Sequence, residues 1–269
     1  MLDKITPEAT SLDMASESSS KKIIDLEIQG LVKSFAKDQL PILDGIDLNI
    51  AHGEAVSLLG ANGTGKSTLL RCCMGLIPFE KGEVKIFGKS MTQSSAKDVR
   101  KLRTHCGFVF QKHNLVPRLS ALSNVIHGSQ GWEKGMRTWY QAIAKPHIRE
   151  FAMHCLEQVS MADFAKRRVD QLSGGQSQRV AIARALMQKP KMVIADEPVA
   201  SLDPSSGEEV MDLFISLLKE NDITLLFSSH HIEHALTYSS RVIGLRHGQI
   251  ELDSPANQLQ KQDLLGFYD

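Results

Sequence analysis

The sequence has no uninterrupted run of apolar residues long enough to cross a bilayer, for which about 18 to 20 are needed. We therefore expect any role at a membrane to depend on a partner chain. The first 22 residues mix Ser, Thr and charged residues and lack the apolar stretch of a signal peptide. We expect these residues to form a mobile tail.

The sequence also has no excess of charge of either sign, because 31 basic residues balance 31 acidic ones. A protein that binds DNA or RNA generally presents a basic surface, so no nucleic-acid partner is expected. Cysteine is scarce, and its spacing matches neither a C-x-x-C pair nor a zinc site. The Cys residues are expected to be buried thiols of a cytosolic protein. They are Cys72, Cys73, Cys106 and Cys155.

The sequence does contain the strand and helix patterns of an α/β protein. Residues 23–50 alternate apolar and polar side chains, which predicts antiparallel strands. Residues 55–59 form an apolar run that leads directly into Gly60, and residues 68–75 have helical character with a glycine at the end. Strand, loop and helix therefore follow one another in the order that a phosphate-binding loop requires.

Helical patterns dominate the middle of the chain. The strand signals fade between about residues 112 and 189, where helices are predicted at residues 142–159 and 174–188. Short apolar runs at residues 192–195 and 223–227 then predict buried parallel strands. The predicted fold class is α/β, with a mostly parallel central sheet, an antiparallel β portion and an inserted helical subdomain.

Residues 60–67 match the phosphate-loop pattern G-x-x-x-x-G-K-S at every fixed position. The glycines let successive N–H groups point inward, and the N-terminus of the following helix adds partial positive charge. Lys66 would contact the β- and γ-phosphates of ATP, and Ser67 would bind Mg²⁺. The alternative, a glycine-rich turn that matches by chance, is disfavoured by the flanking strand and helix. The predicted ATP-binding residues are Gly60, Ala61, Asn62, Gly63, Thr64, Gly65, Lys66, Ser67 and Thr68.

A second motif ends the apolar run at residues 192–195 with two adjacent carboxylates. At the carboxyl end of a parallel strand, these side chains would emerge near the phosphate crevice. Asp196 would hold Mg²⁺, directly or through water, and Glu197 would act as the general base for the attacking water. Acidic residues at strand ends are often ordinary turn residues, and it is the phosphate loop that favours the catalytic interpretation.

A third motif comprises Leu172, Ser173, Gly174, Gly175 and Gln176. The Ser173 side chain can cap the helix that follows, and the glycine pair leaves the N–H groups of that helix open to an anion. A plain capped helix after a flexible loop is the structural alternative.

With these motifs, residues 23–254 resemble the ATP-binding-cassette (ABC) ATPases. The family's motifs occur in the family's order: residues 60–67, Gln111, residues 172–176, residues 193–197 closely followed by Ser201, Leu202 and Asp203, and His230. The resemblance implies a P-loop NTPase domain over residues 23–269, with the helical subdomain at about 112–189. It also implies a head-to-tail homodimer, in which Ser173 and Gly175 of one copy close over ATP on the loop of the other.

The resemblance assigns further roles within this site. Gln111 would reach the metal and the attacking water, and His230 would contact the γ-phosphate. His231 is adjacent and is the alternative, although the strand spacing favours His230. Asp203 would shape the dimer seam and help to align the water. Phe35 would stack on adenine, with core packing as the alternative.

Residues 112–125 and 183–188, together with a longer helical insertion at about 132–147, are similar to the phosphonate-import ATPases. This similarity implies a subunit at the cytoplasmic face of the inner membrane that drives permease subunits, and indirectly serves a periplasmic or surface solute-binding protein. Phosphate, phosphite or another solute remains an alternative cargo. A lipoprotein-type exporter and a non-transport ABC ATPase are further alternatives.

Overall fold

The computed structural model describes residues 22–36, 40–133 and 135–267. Apart from Lys22, the predicted N-terminal tail lies outside these ranges. Within them, no helix combines the length and the apolar character needed to span a bilayer.

Strands and helices are interspersed along the chain. The strands are β1 (Ile24–Lys33), β2 (Leu43–Ala51), β3 (Ala55–Leu59), β4 (Lys81–Ile86), β5 (Lys89–Ser90), β6 (Cys106–Val109), β7 (Met192–Asp196), β8 (Thr224–Ser228), β9 (Arg241–Arg246) and β10 (Gln249–Pro255). The helices are α1 (Lys66–Cys73), α2 (Ala96–Arg103), α3 (Ala121–Ile126), α4 (Pro146–Gln158), α5 (Gly174–Met187), α6 (Pro204–Glu220), α7 (Ile232–Tyr238) and α8 (Lys261–Leu264).

The strands form two sheets. The larger sheet has the order β10-β9-β3-β8-β7-β6, in which all neighbours are parallel except the β9–β10 pair. The smaller sheet has the order β2-β1-β4-β5 and is antiparallel throughout. The predicted fold class is thus confirmed, and the carboxyl ends of β3, β7 and β8 meet at one edge of the central sheet.

The two central strands β7 and β8 are buried along their whole length, because the sheet is covered on both faces. Val193 and Phe227 pack on one face, in a cluster with apolar residues of α5 and α6. Ile194 and Leu226 pack on the opposite face, in a cluster with α1 and the antiparallel sheet. Burial of both faces explains why these strands have continuous apolar sequences and not alternating ones.

Helix α4 begins at Pro146, and the predicted start at residue 142 was wrong. A proline fits the first helical position, where its missing N–H has no helical partner, but it disrupts the interior of a helix. Helix α5 spans Gly174–Met187, within one residue of the prediction.

The predicted helical insertion at residues 132–147 was also wrong. Between residue 127 and Pro146, the residues that the structure describes form only short 3₁₀ turns, at His127–Gly131 and Met136–Thr138, joined by irregular segments. Gly135 has a φ of 106°, which a right-handed helix cannot include. The segment is fixed by side chains instead, since the Trp132 indole donates to the Met187 carbonyl oxygen at 3.1 Å.

A polar cluster joins the antiparallel sheet to the central sheet at the end far from the phosphate loop. His52, between β2 and β3, has Nδ1 at 2.8 Å from a buried Asp25 carboxylate oxygen and Nε2 at 3.2 Å from Asp222. The Thr224 hydroxyl donates to the same Asp25 oxygen and accepts from the Gly53 N–H at 2.9 Å. The hydrogen bond to Asp25, assisted by both carboxylates, raises the pKa of His52 against the opposing effect of burial.

This cluster predicts a pH-dependent contribution to stability. The folded-state pKa of His52 lies above its unfolded value of 6.5. Its contribution to stability is therefore complete at pH values below the unfolded pKa, and is lost as the pH rises through the folded pKa. We expect His52→Ala to lower the free energy of unfolding more at about pH 5.5 than at about pH 8.5. Because the His52 ring is 38% exposed, this pH-dependent part should be below about 1 kcal/mol. Urea unfolding of both proteins measures it, and stability differences that stay constant over this range would contradict it.

Candidate active site

The predicted phosphate loop joins β3 to α1 at the carboxyl edge of the central sheet. Two of its positions have no room for a side chain. A Cβ atom at Gly60 would lie 2.4 Å from the Leu245 carbonyl oxygen, and one at Gly65 would lie 2.8 Å from the Ile42 carbonyl oxygen. Gly65 also has a φ of 105°, which L-residues with a side chain rarely adopt. The loop therefore depends on glycine for its shape.

Lys66 is buried in the centre of this loop. Its Nζ donates to the carbonyl oxygens of Gly60 at 2.7 Å and Ala61 at 3.0 Å, so the side chain curls back over the loop. Burial lowers the pKa of Lys66, and the carboxylates of Glu197 and Asp196 oppose this shift. The arrangement places a positive charge where the loop can receive an anion.

Asp196, the last residue of β7, lies against the first turn of α1. Its Oδ1 accepts from the Ser67 hydroxyl at 2.8 Å and from the Ser228 hydroxyl at 2.9 Å. The Arg71 guanidinium lies 3.8 Å from Oδ2. The structure thus brings together Ser67 and Asp196, two of the three predicted metal ligands, and adds Ser228 and Arg71, which the sequence analysis did not identify.

Glu197 follows Asp196 with a φ of 47°, in the left-handed region. Gln111 Nε2 donates to Glu197 Oε2 at 3.1 Å, and His230 Nδ1 lies 3.7 Å from the same oxygen. Burial and the neighbouring His231 lower the pKa of His230, against the opposing carboxylate of Glu197. The lowered pKa favours the neutral imidazole of His230 over its charged form.

Two predicted groups do not join this cluster. Ser173 caps α5 through a reciprocal pair of hydrogen bonds with Gln176, and Asp203 caps α6 by accepting from the Ser206 N–H at 3.0 Å. The starts of these helices are neighbours, because a Cβ atom at Gly174 would lie 3.2 Å from the Leu202 side chain. Across the part of the chain that the structure describes, neither a hydrogen bond nor an ion pair links residues 172–176 to residues 60–68.

Phe35 lies on the surface at the end of β1. Its side chain is 67% exposed, and Lys33 Nζ lies 5.1 Å from the ring centroid. The core-packing alternative for Phe35 was therefore wrong, because little of the ring is removed from water.

The sequence profile of the ABC transporter family matches residues 43–200, which include the phosphate loop, Gln111, the segment 172–176 and the two carboxylates of β7. The chain belongs to the ABC transporter family. It is an ABC-type ATPase, as predicted from its motifs.

Curated ABC relatives match this chain over most of its length. A protein of Oceanobacillus iheyensis named phosphonates import ATP-binding protein PhnC 2 is 40% identical over 90% of this chain and 95% of its own. The phosphonates import ATP-binding protein PhnC of Escherichia coli K12 is 42% identical over 88% and 91%. The phosphate-import ATP-binding protein PhnC of Mycolicibacterium smegmatis is 46% identical over 84% and 86%.

Solved ABC cassettes have the same fold. The dimeric structure of the bacterial cassette MJ0796 is 33% identical to this chain, with a TM-score of 0.76 over 86% of this chain and 98% of the cassette. A post-hydrolysis dimer of the same cassette, bound to ADP and Pi, has a TM-score of 0.75 with the same identity and coverage. These similarities confirm the predicted ABC ATPase fold.

Proposed function

We propose that this chain is the ATPase subunit of an ABC importer that takes up phosphonate or a related phosphorus oxyanion through separate membrane subunits. The observation that carries the proposal is the identity of 40 to 46% with relatives named for phosphonate or phosphate import. Each match covers at least 84% of both chains.

The proposed chemistry is hydrolysis of ATP held on the phosphate loop. The backbone N–H groups of the loop and the Lys66 ammonium would bind the β- and γ-phosphates. Glu197 would accept a proton from the attacking water, and His230 would hydrogen-bond the γ-phosphate. The 3.7 Å between the Glu197 and His230 side chains supports their action on one reacting centre.

The same edge offers oxygen ligands suited to Mg²⁺. The Ser67 hydroxyl and Asp196 Oδ1 lie 2.8 Å apart, and Gln111 donates through Nε2, which leaves its amide oxygen free of that bond. In the described residues, no group of three or more His, Cys, Asp or Glu could hold a metal ion. We infer that Mg²⁺ binds together with the nucleotide, with phosphate oxygens and water completing its coordination. The ion would neutralise charge that develops on the phosphates.

A second copy of the chain would complete the site. One copy would present Ser173, Gly174 and Gly175, at the N-terminus of α5, to ATP on the loop of the other. The separation of residues 172–176 from the phosphate loop supports this arrangement, as do the dimeric structures of a similar cassette. Asp203 would lie near the dimer seam, because the starts of α5 and α6 are neighbours. Exposed Phe35 is available to stack on adenine.

The permease subunits would dock beside Gln111, at the cytoplasmic face of the membrane. A cleft lined by Phe108, Asn114, His127 and Arg184 opens next to the predicted contact segment 112–125. Arg184 holds one wall of the cleft, donating to the carbonyl oxygens of Asn114 at 2.6 Å and His113 at 2.8 Å. A solute-binding protein would interact with the permease and not with this chain.

Uptake by cells that carry or lack this chain tests the cargo. We expect deletion to abolish uptake of radiolabelled phosphonate, and the wild-type chain, but not Glu197→Gln, to restore it. Phosphate and phosphite are measured in parallel because one relative is named for phosphate import. Loss of phosphate uptake with normal phosphonate uptake would reassign the cargo. Normal uptake of all three would contradict the importer proposal.

A further inference from the structure

Ser228 links the two acidic residues of the site, Asp196 and Glu197, although the motifs do not include it. It ends β8 and pairs in register with Asp196, the last residue of β7. The side chain is fully buried. Its hydroxyl oxygen lies 2.9 Å from Asp196 Oδ1 and 3.0 Å from the Glu197 backbone nitrogen.

The direction of both hydrogen bonds follows from the groups involved. A backbone N–H can only donate, so the Ser228 hydroxyl oxygen accepts from Glu197. The hydroxyl proton is then available to Asp196, whose carboxylate can only accept when ionised. One buried hydroxyl therefore binds the carboxylate of one residue and the backbone of the next.

This bond supports an uncommon backbone conformation. Glu197 has a φ of 47°, a left-handed value that residues with a Cβ rarely adopt, apart from Asn, Asp and His. A buried N–H without a partner is costly, so the Ser228 hydroxyl stabilises the orientation of the peptide between Asp196 and Glu197. That orientation directs the Glu197 side chain toward Gln111 and His230.

We propose that Ser228 is a positioning residue for ATP hydrolysis, which sets the backbone of Glu197 and the orientation of the Asp196 carboxylate. The inference rests on the proposed role of Glu197 as the general base. Among the described residues, no hydrogen bond joins the Ser228 side chain to the phosphate loop, and in the proposed mechanism Ser228 does not contact the nucleotide. It acts through Asp196 and Glu197.

Ser228→Ala in the full-length chain, compared with Ser57→Ala, tests the proposal. Ser57 is a matched control, because it is also a fully buried serine of the central sheet, and among the described residues its hydroxyl hydrogen-bonds only with that of Ser239, at 3.0 Å. We expect Ser228→Ala to lower kcat about tenfold. This is the loss of rate expected when the transition state is no longer stabilised by one hydrogen bond of ordinary strength. The melting temperature should follow that of the control.

Binding of a fluorescent ATP analogue with Mg²⁺ and with EDTA gives a readout independent of turnover. Because Ser228 orients Asp196, Ser228→Ala should reduce the gain in affinity that Mg²⁺ provides, while affinity in EDTA stays unchanged. Ser57→Ala should keep the full gain. An equal gain in both variants would contradict the link to Asp196.

Two further substitutions at Ser228 keep the test decisive. Ser228→Thr retains the hydroxyl and should keep most of the wild-type kcat. Ser228→Cys retains the volume and weakens both hydrogen bonds, so it should be intermediate, and it carries the test if the alanine variant does not fold. A kcat for the alanine or cysteine variant equal to that of Ser57→Ala would overturn the proposal. Glu197→Gln, measured beside them, separates the role of Ser228 from that of Glu197. Normal turnover of Glu197→Gln would refute the assignment of Glu197 as the general base, whatever the Ser228 variants show.

Discussion

Glu197→Gln is expected to bind ATP and form a stable nucleotide-bound dimer, yet to hydrolyse ATP roughly 10²-fold or more slowly, the usual scale for loss of a general base. Glutamine keeps the size of the side chain. It also keeps an oxygen that can accept the hydrogen bond from Gln111 Nε2, which in the wild type lies 3.1 Å from Glu197 Oε2. It cannot take up the proton of the attacking water. Steady-state ATPase rates and size-exclusion chromatography with ATP measure the two effects.

A matched control for this variant is Glu209→Gln on α6. Glu209 is 72% exposed, and its recorded ion pair is with Arg179 at 3.4 Å, away from the phosphate loop. Its substitution should leave both turnover and dimer formation as in the wild type. Near-normal hydrolysis by Glu197→Gln would refute the assignment of the base.

Lys66→Ala should weaken nucleotide binding or hydrolysis by at least about tenfold, since hydrogen bonds to a charged group contribute about 1.5 to 3 kcal/mol. The substitution removes the positive charge at the centre of the loop, together with the contacts to the Gly60 and Ala61 carbonyl oxygens. ATP titration and turnover measure the effect, with the exposed Lys89→Ala as control. Unchanged titration and turnover would count against the role of Lys66.

The same variant also tests whether two copies share each site. In a head-to-tail dimer of one Ser173→Arg chain with one Lys66→Ala chain, both defects fall in one site and the other site stays intact. Mixing the two chains should therefore restore at most one of the two composite sites. Activity of the mixture equal to that of the wild type would argue against a site built from both copies.

The phosphate loop was predictable because its requirements are local. Gly60 and Gly65 are needed where neighbouring carbonyl oxygens leave no room for a Cβ atom, and the strand before the loop and helix after it are visible in the apolar pattern. The positions of Asp196 and Glu197 followed from the end of one apolar strand. In each case one short segment contains both the sequence pattern and the local structural requirement that explains it.

Ser228 could not be predicted in this way, because its role arises from the register between β7 and β8. Asp196 and Ser228 are 32 residues apart and become partners only when the two strands pair.

The irregular segment before α4 was predicted wrongly for a different reason. The prediction followed the helical periodicity of the apolar residues and gave too little weight to Gly135 and Pro146. These two residues determine the local backbone conformation.

That irregular segment gives the protein an optical property. The chain has two tryptophans, Trp132 and Trp139, and both belong to it. Lys189 Nζ lies 4.7 Å from the Trp132 ring centroid, and Trp132 is 37% exposed while Trp139 is 56% exposed, so both rings are open to quenchers in solution. Tryptophan emission of this chain excited at long wavelength thus reports on one surface segment, so a spectral shift on addition of ATP would locate a structural change there without an added label.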